Sequence, residues 1–357
     1  MNKITTSKGK QILIYGTLVI LSFYFLFLSL VKASNFLVPL TTALILALLL
    51  LPLSRKMEKS FLNRTASSLI STFIVLLVSV GFLALVSMQV KIVVDDWSKI
   101  KETMTPKIEN LKGFLFEHTP LSEKDLKQSE EGSGLPFMSA DSNSGQKAAS
   151  FLNKALGFLG NYLLTFIYIF FLLNYRHRFK AFLLKLFPDS KRHKIKGVIE
   201  NSANVTQKYL LGKVILIGLL AVLYGIGLGF SGVNNFILIS ILAAVFSLLP
   251  YIGNIIGFGL AMIFGYLVSG ETGVLIGIIF TFAVAQFVES YILEPYIVGD
   301  RVDLHPFFVI LSVVIGGMVW GIAGMVLAIP ILAIINVIFE HVTALKPFGF
   351  LLSQEKD

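Results

Sequence analysis

The chain of 357 residues is 55% hydrophobic and only 14% charged, with a mean hydropathy of +0.80 and a net charge of +9. Soluble domains carry about 25% charged residues, so this composition excludes a soluble globular protein and predicts an all-α polytopic membrane protein. The sequence contains no cysteine, which excludes disulfides, thiol nucleophiles and thiolate metal sites.

The charge is divided unevenly along the chain. Residues 1–213 carry 27 Lys and Arg against 13 Asp and Glu, whereas residues 214–345 carry one Arg and six acids. A basic excess of this kind is typical of cytoplasmic loops beside anionic lipid, and we do not expect a nucleic-acid partner.

Three apolar runs at 11–31, 36–53 and 66–90 form a predicted N-terminal unit, residues 1–90. Each is close to the 20 or so residues that cross a bilayer. Lys3, Lys8 and Lys10 precede the first run as in a signal peptide, but that run is too long for one, so we expect no cleavage.

Residues 91–150 have more acids than bases and are predicted to lie outside the cytoplasm. Apolar residues recur every three or four positions over 91–118, which predicts a helix, kinked at Pro106. Its apolar stripe packs against a second subunit or lies on the bilayer. The polar segment 119–147 is predicted to be a mobile loop.

A fourth span is predicted at 151–174, within a third unit of residues 151–213. Basic and apolar residues then interleave over 176–196, which predicts one interfacial amphipathic helix facing anionic lipid.

Residues 214–345 form a predicted transport core, followed by a cytoplasmic tail at 346–357. Spans are expected at 213–230 and 272–292. Segments 236–269 and 306–341 are apolar but broken by Gly and Pro, and each is too long for one span and too short for two. We predict two helical hairpins, because broken helices in membranes line protein-enclosed or water-filled cavities, as in transporters.

Basic loops at 54–65 and 175–213 place those segments in the cytoplasm. Both termini are then cytoplasmic, whether each hairpin is re-entrant or fully spanning.

Acidic residues near the end of the 272–292 span carry the functional hypothesis. Gln286 and Glu289 share a helix face, and Glu294 precedes Pro295, where the helix is expected to stop. Acids at membrane depth usually line a path or pair with a partner. We expect Glu289 to sense protons or cations, and Glu294 either to do the same or to cap the next hairpin. Arg301 is expected to pair with Glu294, Asp300 or Asp303.

The hairpin breaks supply the other candidate site residues. His305 and Pro306 stand at the mouth of the second hairpin, where His305 either couples protons or caps a helix. Breaks in helices free backbone groups around a site, whereas glycines also serve close helix packing. The candidates at the breaks are Pro250, Gly253 and Asn254 in the first hairpin, and Gly317, Gly321 and Pro330 in the second.

The sequence lacks the motifs of several common enzyme classes. There is no phosphate-binding loop, Gly-x-Ser-x-Gly or His-Glu-x-x-His motif, and the five histidines lack metal-ligand spacing. Gly299-Asp300 alone does not make an intramembrane aspartyl protease. We therefore expect neither an enzyme nor a cofactor.

The sequence contains Tyr209-Leu210-Leu211-Gly212, Pro250-Tyr251-Ile252-Gly253 with Gly257, Glu294-Pro295 with Gly299, His305-Pro306, and a stretch from Gly317 to Pro330. In these motifs the chain resembles the autoinducer-2 exporter (AI-2E) family of bacterial membrane permeases. Asn254 departs from the family's usual proline at that position.

The resemblance implies about eight membrane-embedded segments, secondary transport, and a homo-oligomer for which a pentamer is expected. It also implies two substrate classes, since the family includes exporters of autoinducer-2 and members that look like Na⁺(Li⁺)/H⁺ antiporters. Our first hypothesis is an inner-membrane exporter of a small polar metabolite. The second is a monovalent cation/proton antiporter, and the third is a non-transporting membrane scaffold.

Overall fold

A computed structural model describes residues 3–60, 62–95, 102, 106, 162–249, 252–267, 269–298 and 303–354. Helices form nearly all of this part of the chain, and it contains no strand. Six helices within it are long and apolar enough to cross a membrane. The prediction of an all-α polytopic membrane protein is confirmed.

Three long helices open the chain. They are α1 (Lys3–Lys32), α2 (Ser34–Ser60) and α3 (Arg64–Asp95), and they contain the three predicted N-terminal spans. The Asn63 side chain starts α3, because its Oδ1 accepts a hydrogen bond from the Ala66 amide at 2.8 Å. Most of the predicted 91–118 helix, and the whole of the 119–147 loop, lie outside the described residues.

The basic segment after the fourth span consists of two helices, so the prediction of one helix over 176–196 is wrong. Helix α4 (Tyr162–Asn174) is followed by α5 (Arg176–Lys185) and α6 (Asp189–Phe230). Pro188 separates α5 from α6 because a proline disfavours helical backbone at the residue before it. The 42 residues of α6 extend about 63 Å at 1.5 Å per residue, so the predicted 213–230 span is only its last part.

The first hairpin comprises α7 (Phe236–Phe246), α8 (Ile252–Ala261) and a π-helix, Met262–Leu267. Its arms touch closely, because a Cβ placed on Gly253 would overlap the Phe246 carbonyl. The 11 residues of α7 reach about 16 Å, whereas the hydrocarbon core is about 30 Å thick. This arm therefore cannot cross a bilayer alone.

Helices α9 (Thr272–Val288) and α6 enclose this hairpin in one compact unit, which contains residues 213–297. In its core, buried side chains recur every four residues along α6 and pack against buried side chains of α7, α8 and α9. The buried members are Leu216, Leu220, Tyr224, Leu228, Ile239, Ala243, Ala261, Ile278 and Phe282.

The second hairpin, α10 (Pro306–His341), consists of two helical arms that meet at Trp320 and Gly321, where the backbone is not helical. Gly321 has φ +60°, a left-handed conformation that glycine adopts without a Cβ penalty. Gly316 and Gly324 face each other across the fold, since a Cβ on either would overlap the carbonyl of the other. The predicted hairpin is confirmed, and α10 is not one long span.

The second hairpin belongs to the other compact unit, together with residues up to 75 and 162–212. The Trp320 indole Nε1 donates to the Leu30 carbonyl at 3.0 Å and so ties the turn to α1. The predicted tail begins with a helix, α11 (Lys346–Leu352), whose last carbonyl accepts from the His305 amide at 2.7 Å.

Candidate transport site

Glu289 is a buried acid in the compact unit that contains residues 213–297. It lies where α9 ends and a π-helix, Glu289–Val298, begins, and it is only 6% exposed. The sequence predicts that the helix stops before Pro295, and this prediction is wrong, because the π-helix continues through the proline. A π-helix pairs residues five apart rather than four, and we attribute the tolerance of Pro295 to this wider turn.

Asn254 connects the first hairpin to this acid. Its Nδ2 donates to Gln286 Oε1 and lies 3.4 Å from Glu289 Oε2. Gln286 Nε2 in turn donates to Ser290 Oγ at 2.9 Å. Asn254 Oδ1 is buried and has no hydrogen-bond partner among the described residues. One carboxylate and two amides thus converge from two elements.

Aromatic rings form the apolar wall beside this polar group. The Tyr224 and Phe282 ring centroids are 4.7 Å apart, and Phe258 of the first hairpin meets Phe282 edge-on at 5.5 Å. Tyr224 lies close enough to Glu289 for the two to interact electrostatically. Glu289 is therefore buried beside an apolar wall, where its interactions are strong, whereas Gln286 and Ser290 are exposed.

Glu294 pairs with Lys213, a residue that the sequence analysis missed. Lys213 Nζ lies 3.1 Å from Glu294 Oε1, and the lysine side chain is 12% exposed. The available signal was the position of Lys213 at the first residue of the predicted 213–230 span. Arg301 and Asp300, named as partners from the sequence, lie outside the described residues, as does Pro250.

The remaining predicted site residues belong to the other compact unit. His305 is the N-cap of α10, where its Nδ1 accepts from the Phe307 amide at 3.2 Å, and Pro306 is the first helical residue. Gly317 packs against Met325, Gly321 forms the fold of the hairpin, and Pro330 is fully buried. In this part of the structure the capping role expected as one alternative for His305 is the one observed.

Among the described residues, the site offers oxygen atoms as ligands for a cation. Across the described residues, no three His, Cys, Asp or Glu side chains cluster closely enough to hold a metal ion. Glu289 and the two amides present carboxylate and carbonyl oxygens, which are the ligands of hard cations.

The family model described as AI-2E family transporter matches residues 15–344. The chain belongs to the AI-2E family. It is therefore a multi-pass membrane transporter, as the long apolar helices independently indicate.

Curated relatives of this AI-2E protein carry the name of transport proteins. YueF of Bacillus subtilis is 26% identical over 327 residues, covering 86% of this chain and 84% of YueF. A transport protein of Borreliella burgdorferi is 28% identical over 201 residues, covering 56% of each chain. YrrI of Bacillus subtilis is 28% identical over 156 residues, covering 44% of each chain.

Proposed function

We propose that this protein is a secondary transporter that exports a small polar solute, such as autoinducer-2, and couples export to an ion through Glu289. The observation that carries the proposal is the burial of Glu289 against Asn254, at the contact between the first hairpin and the π-helix. An acid in this setting is costly to keep, and acids at membrane depth usually serve an ion or substrate path.

We expect Glu289 to couple ion binding to export because an ionised carboxylate is unfavourable in an apolar surrounding. An ionised carboxylate there needs a proton, a cation or a fixed counter-charge beside it. Each ion that binds to Glu289 or leaves it therefore changes the stability of the contact that Asn254 makes. Movement of the first hairpin against α9 would then follow the occupancy of Glu289.

The polar groups also suit a small solute better than a large one. Asn254 and Gln286 can both donate and accept hydrogen bonds, and the rings of Tyr224 and Phe282 supply an apolar face. Ligand pockets combine a few placed polar groups with a mostly apolar wall in this way.

The experiment uses proteoliposomes loaded with autoinducer-2 under an imposed pH gradient. Wild-type protein is expected to release the solute faster than empty vesicles do, and Glu289→Gln is expected to abolish the release while it assembles normally. Wild-type flux in Glu289→Gln would remove Glu289 from the mechanism. The matched control is Glu271→Gln, which changes an exposed acid before α9.

A specific observation favours Na⁺(Li⁺)/H⁺ antiport as a second candidate. Asn254 Nδ2 faces Gln286 Oε1 and Glu289 Oε2, and Asn254 Oδ1 is buried with no hydrogen-bond partner among the described residues. A half-turn of the Asn254 amide would exchange its Nδ2 and Oδ1 and bring three oxygens together, the donor type that suits a hard cation. Addition of Na⁺ or Li⁺ to the same vesicles without autoinducer-2 should then collapse the pH gradient in wild type only. No collapse from assembled protein would leave the exporter as the better candidate.

The surrounding membrane and assembly are part of the same proposal. We propose the cytoplasmic (inner) membrane with both termini inside, because the basic loops 54–65 and 175–213 follow the positive-inside rule. Helix α5 exposes Phe179 and Phe182 among basic residues and suits contact with anionic lipid. We further propose a homo-oligomer, in line with the resemblance to the family. Mass measurement in native lipid tests the oligomer and the bound lipid together.

A further inference from the structure

Lys213 is a partly buried cation in the compact unit that contains Glu289. Its side chain is 12% exposed and pairs with the Glu294 side chain, which is 48% exposed. No other Lys or Arg occurs between residues 214 and 300 of the sequence. Lys213 is therefore the one basic residue in the sequence from 213 to 300.

The π-helix brings two acids to the side from which Lys213 approaches. In an α-helix, residues five apart point about 140° away from each other, given 3.6 residues per turn. In a π-helix the backbone hydrogen bonds join residues five apart, which brings such residues to the same side of the helix about one turn apart. Glu289 and Glu294 are five apart and both lie in this segment. Lys213 accordingly pairs with Glu294 and also acts electrostatically on Glu289.

One cation thus serves two carboxylates. When Glu289 holds a proton or a cation, the charges of Lys213 and Glu294 balance. When Glu289 is empty and ionised, two negative charges face one positive charge, and the neighbouring groups of Asn254, Gln286 and Tyr224 are neutral. The ammonium is a compact charge on a flexible four-carbon stem, so it can turn towards either acid.

We infer that Lys213 is a tethered counter-cation of the ion-coupling site, paired with Glu294 while Glu289 is occupied and drawn to Glu289 when the site empties. The inference rests on the proposed role of Glu289 and adds a positioning residue to it. Lys213 stabilises the unloaded transporter and competes with the coupling ion for the carboxylate.

The test measures charge movement after pH jumps in membranes that hold the transporter, with no solute added. Wild type is expected to give a transient whose amplitude follows a single pH midpoint, and Glu289→Gln is expected to abolish it. Lys213→Gln removes the positive charge and should raise the midpoint by about one pH unit, a tenfold change in proton affinity. Glu294→Gln removes the competing acid and should lower the midpoint.

The two variants are expected to shift the pH midpoint in opposite directions, and this distinguishes a counter-cation from a purely structural ion pair. If the Lys213–Glu294 pair merely held two helices together, removal of either partner would cause the same loss of amplitude with no change in midpoint, and that result overturns the inference. Lys213→Arg should restore the wild-type midpoint, and Lys208→Gln, on an exposed position of the same helix, should leave it unchanged.

The same measurements distinguish failure of the proposed role of Glu289 from failure of the proposed role of Lys213. If the wild-type transient persists in Glu289→Gln, the proposed function fails. If Glu289→Gln abolishes the transient but Lys213→Gln keeps the wild-type midpoint, only the role of Lys213 fails. Should Lys213→Gln not assemble, an unchanged midpoint in Glu294→Gln alone overturns the inference.

Discussion

Asn254 Nδ2 lies 3.4 Å from Glu289 Oε2, although the two residues are 35 positions apart in the sequence. The contact joins α8, the second arm of the first hairpin, to the point where α9 becomes a π-helix. A change in the charge of Glu289 therefore acts directly on the hairpin.

Replacement of Asn254 by alanine tests this contact. The substitution removes the donor to both Gln286 and Glu289. Hydrogen bonds to charged groups contribute about 1.5–3 kcal/mol, so we expect transport to fall roughly 10- to 100-fold. Initial flux in proteoliposomes measures the effect, with Asn201→Ala, an exposed asparagine of α6, as control. Flux within twofold of wild type would show that the amide is dispensable.

Gly253 tests the close approach of the hairpin arms. A Cβ at this position would overlap the Phe246 carbonyl, so Gly253→Ala must displace backbone. Overpacking of this kind costs about 1–3 kcal/mol, and we expect a lower thermal midpoint in detergent. Gly259→Ala is the matched control on the same helix, because nothing lies within 4 Å of its added methyl. Equal midpoints for the two variants would contradict the observed packing.

The conformation of Gly321 makes a separate prediction. Its φ is +60° and nothing lies within 4 Å of an added Cβ, so Gly321→Ala strains the backbone without a steric clash. We expect a destabilisation of about 1–3 kcal/mol, measured by thermal unfolding in detergent. Gly218→Ala, which is also free of neighbours but has an ordinary helical backbone, should be neutral or slightly stabilising. A neutral Gly321→Ala would mean that the second hairpin turns elsewhere.

The contacts of Asn336 predict that this side chain anchors the C-terminal helix α11 to α10. Its Nδ2 contacts the Asp303 carbonyl and Glu340 Oε1 at 3.1 Å and Ser353 Oγ at 3.3 Å, and the residue is 4% exposed. Asn336→Ala removes this donor and leaves the acceptors short of a partner, at a cost of about 1–3 kcal/mol.

Hydrogen exchange provides the measurement for Asn336→Ala. The amides of His305 and Gln354, which bond Leu352 O and Asp303 Oδ1, should exchange faster than in wild type. The amides at the turn of the second hairpin serve as the internal reference. Unchanged protection at His305 and Gln354 would show that α11 docks without Asn336.

The candidate site was predicted in part. Gln286 and Glu289 were predicted to share a face because they are three residues apart on an α-helix, and the Asn254 amide contacts both side chains. Asn254 was predicted at the hairpin, but its contact with Gln286 depends on how the arms fold back. Lys213 was missed, because a lysine at the start of an apolar run looks like an ordinary cytoplasmic anchor.

The class of the protein follows from its composition and its long apolar runs. Long apolar runs specify helices because backbone polar groups must be satisfied within a bilayer, and the Gly and Pro breaks specify hairpins in those runs. Three local features depend on tertiary packing and could not be predicted from the sequence. The π-turn that accepts Pro295, the break at Pro188 and the pairing of Glu294 with Lys213 each depend on which of several allowed conformations packing stabilises. Periodicity reports which residues share a face, whereas contacts between distant segments arise only when the hairpins close.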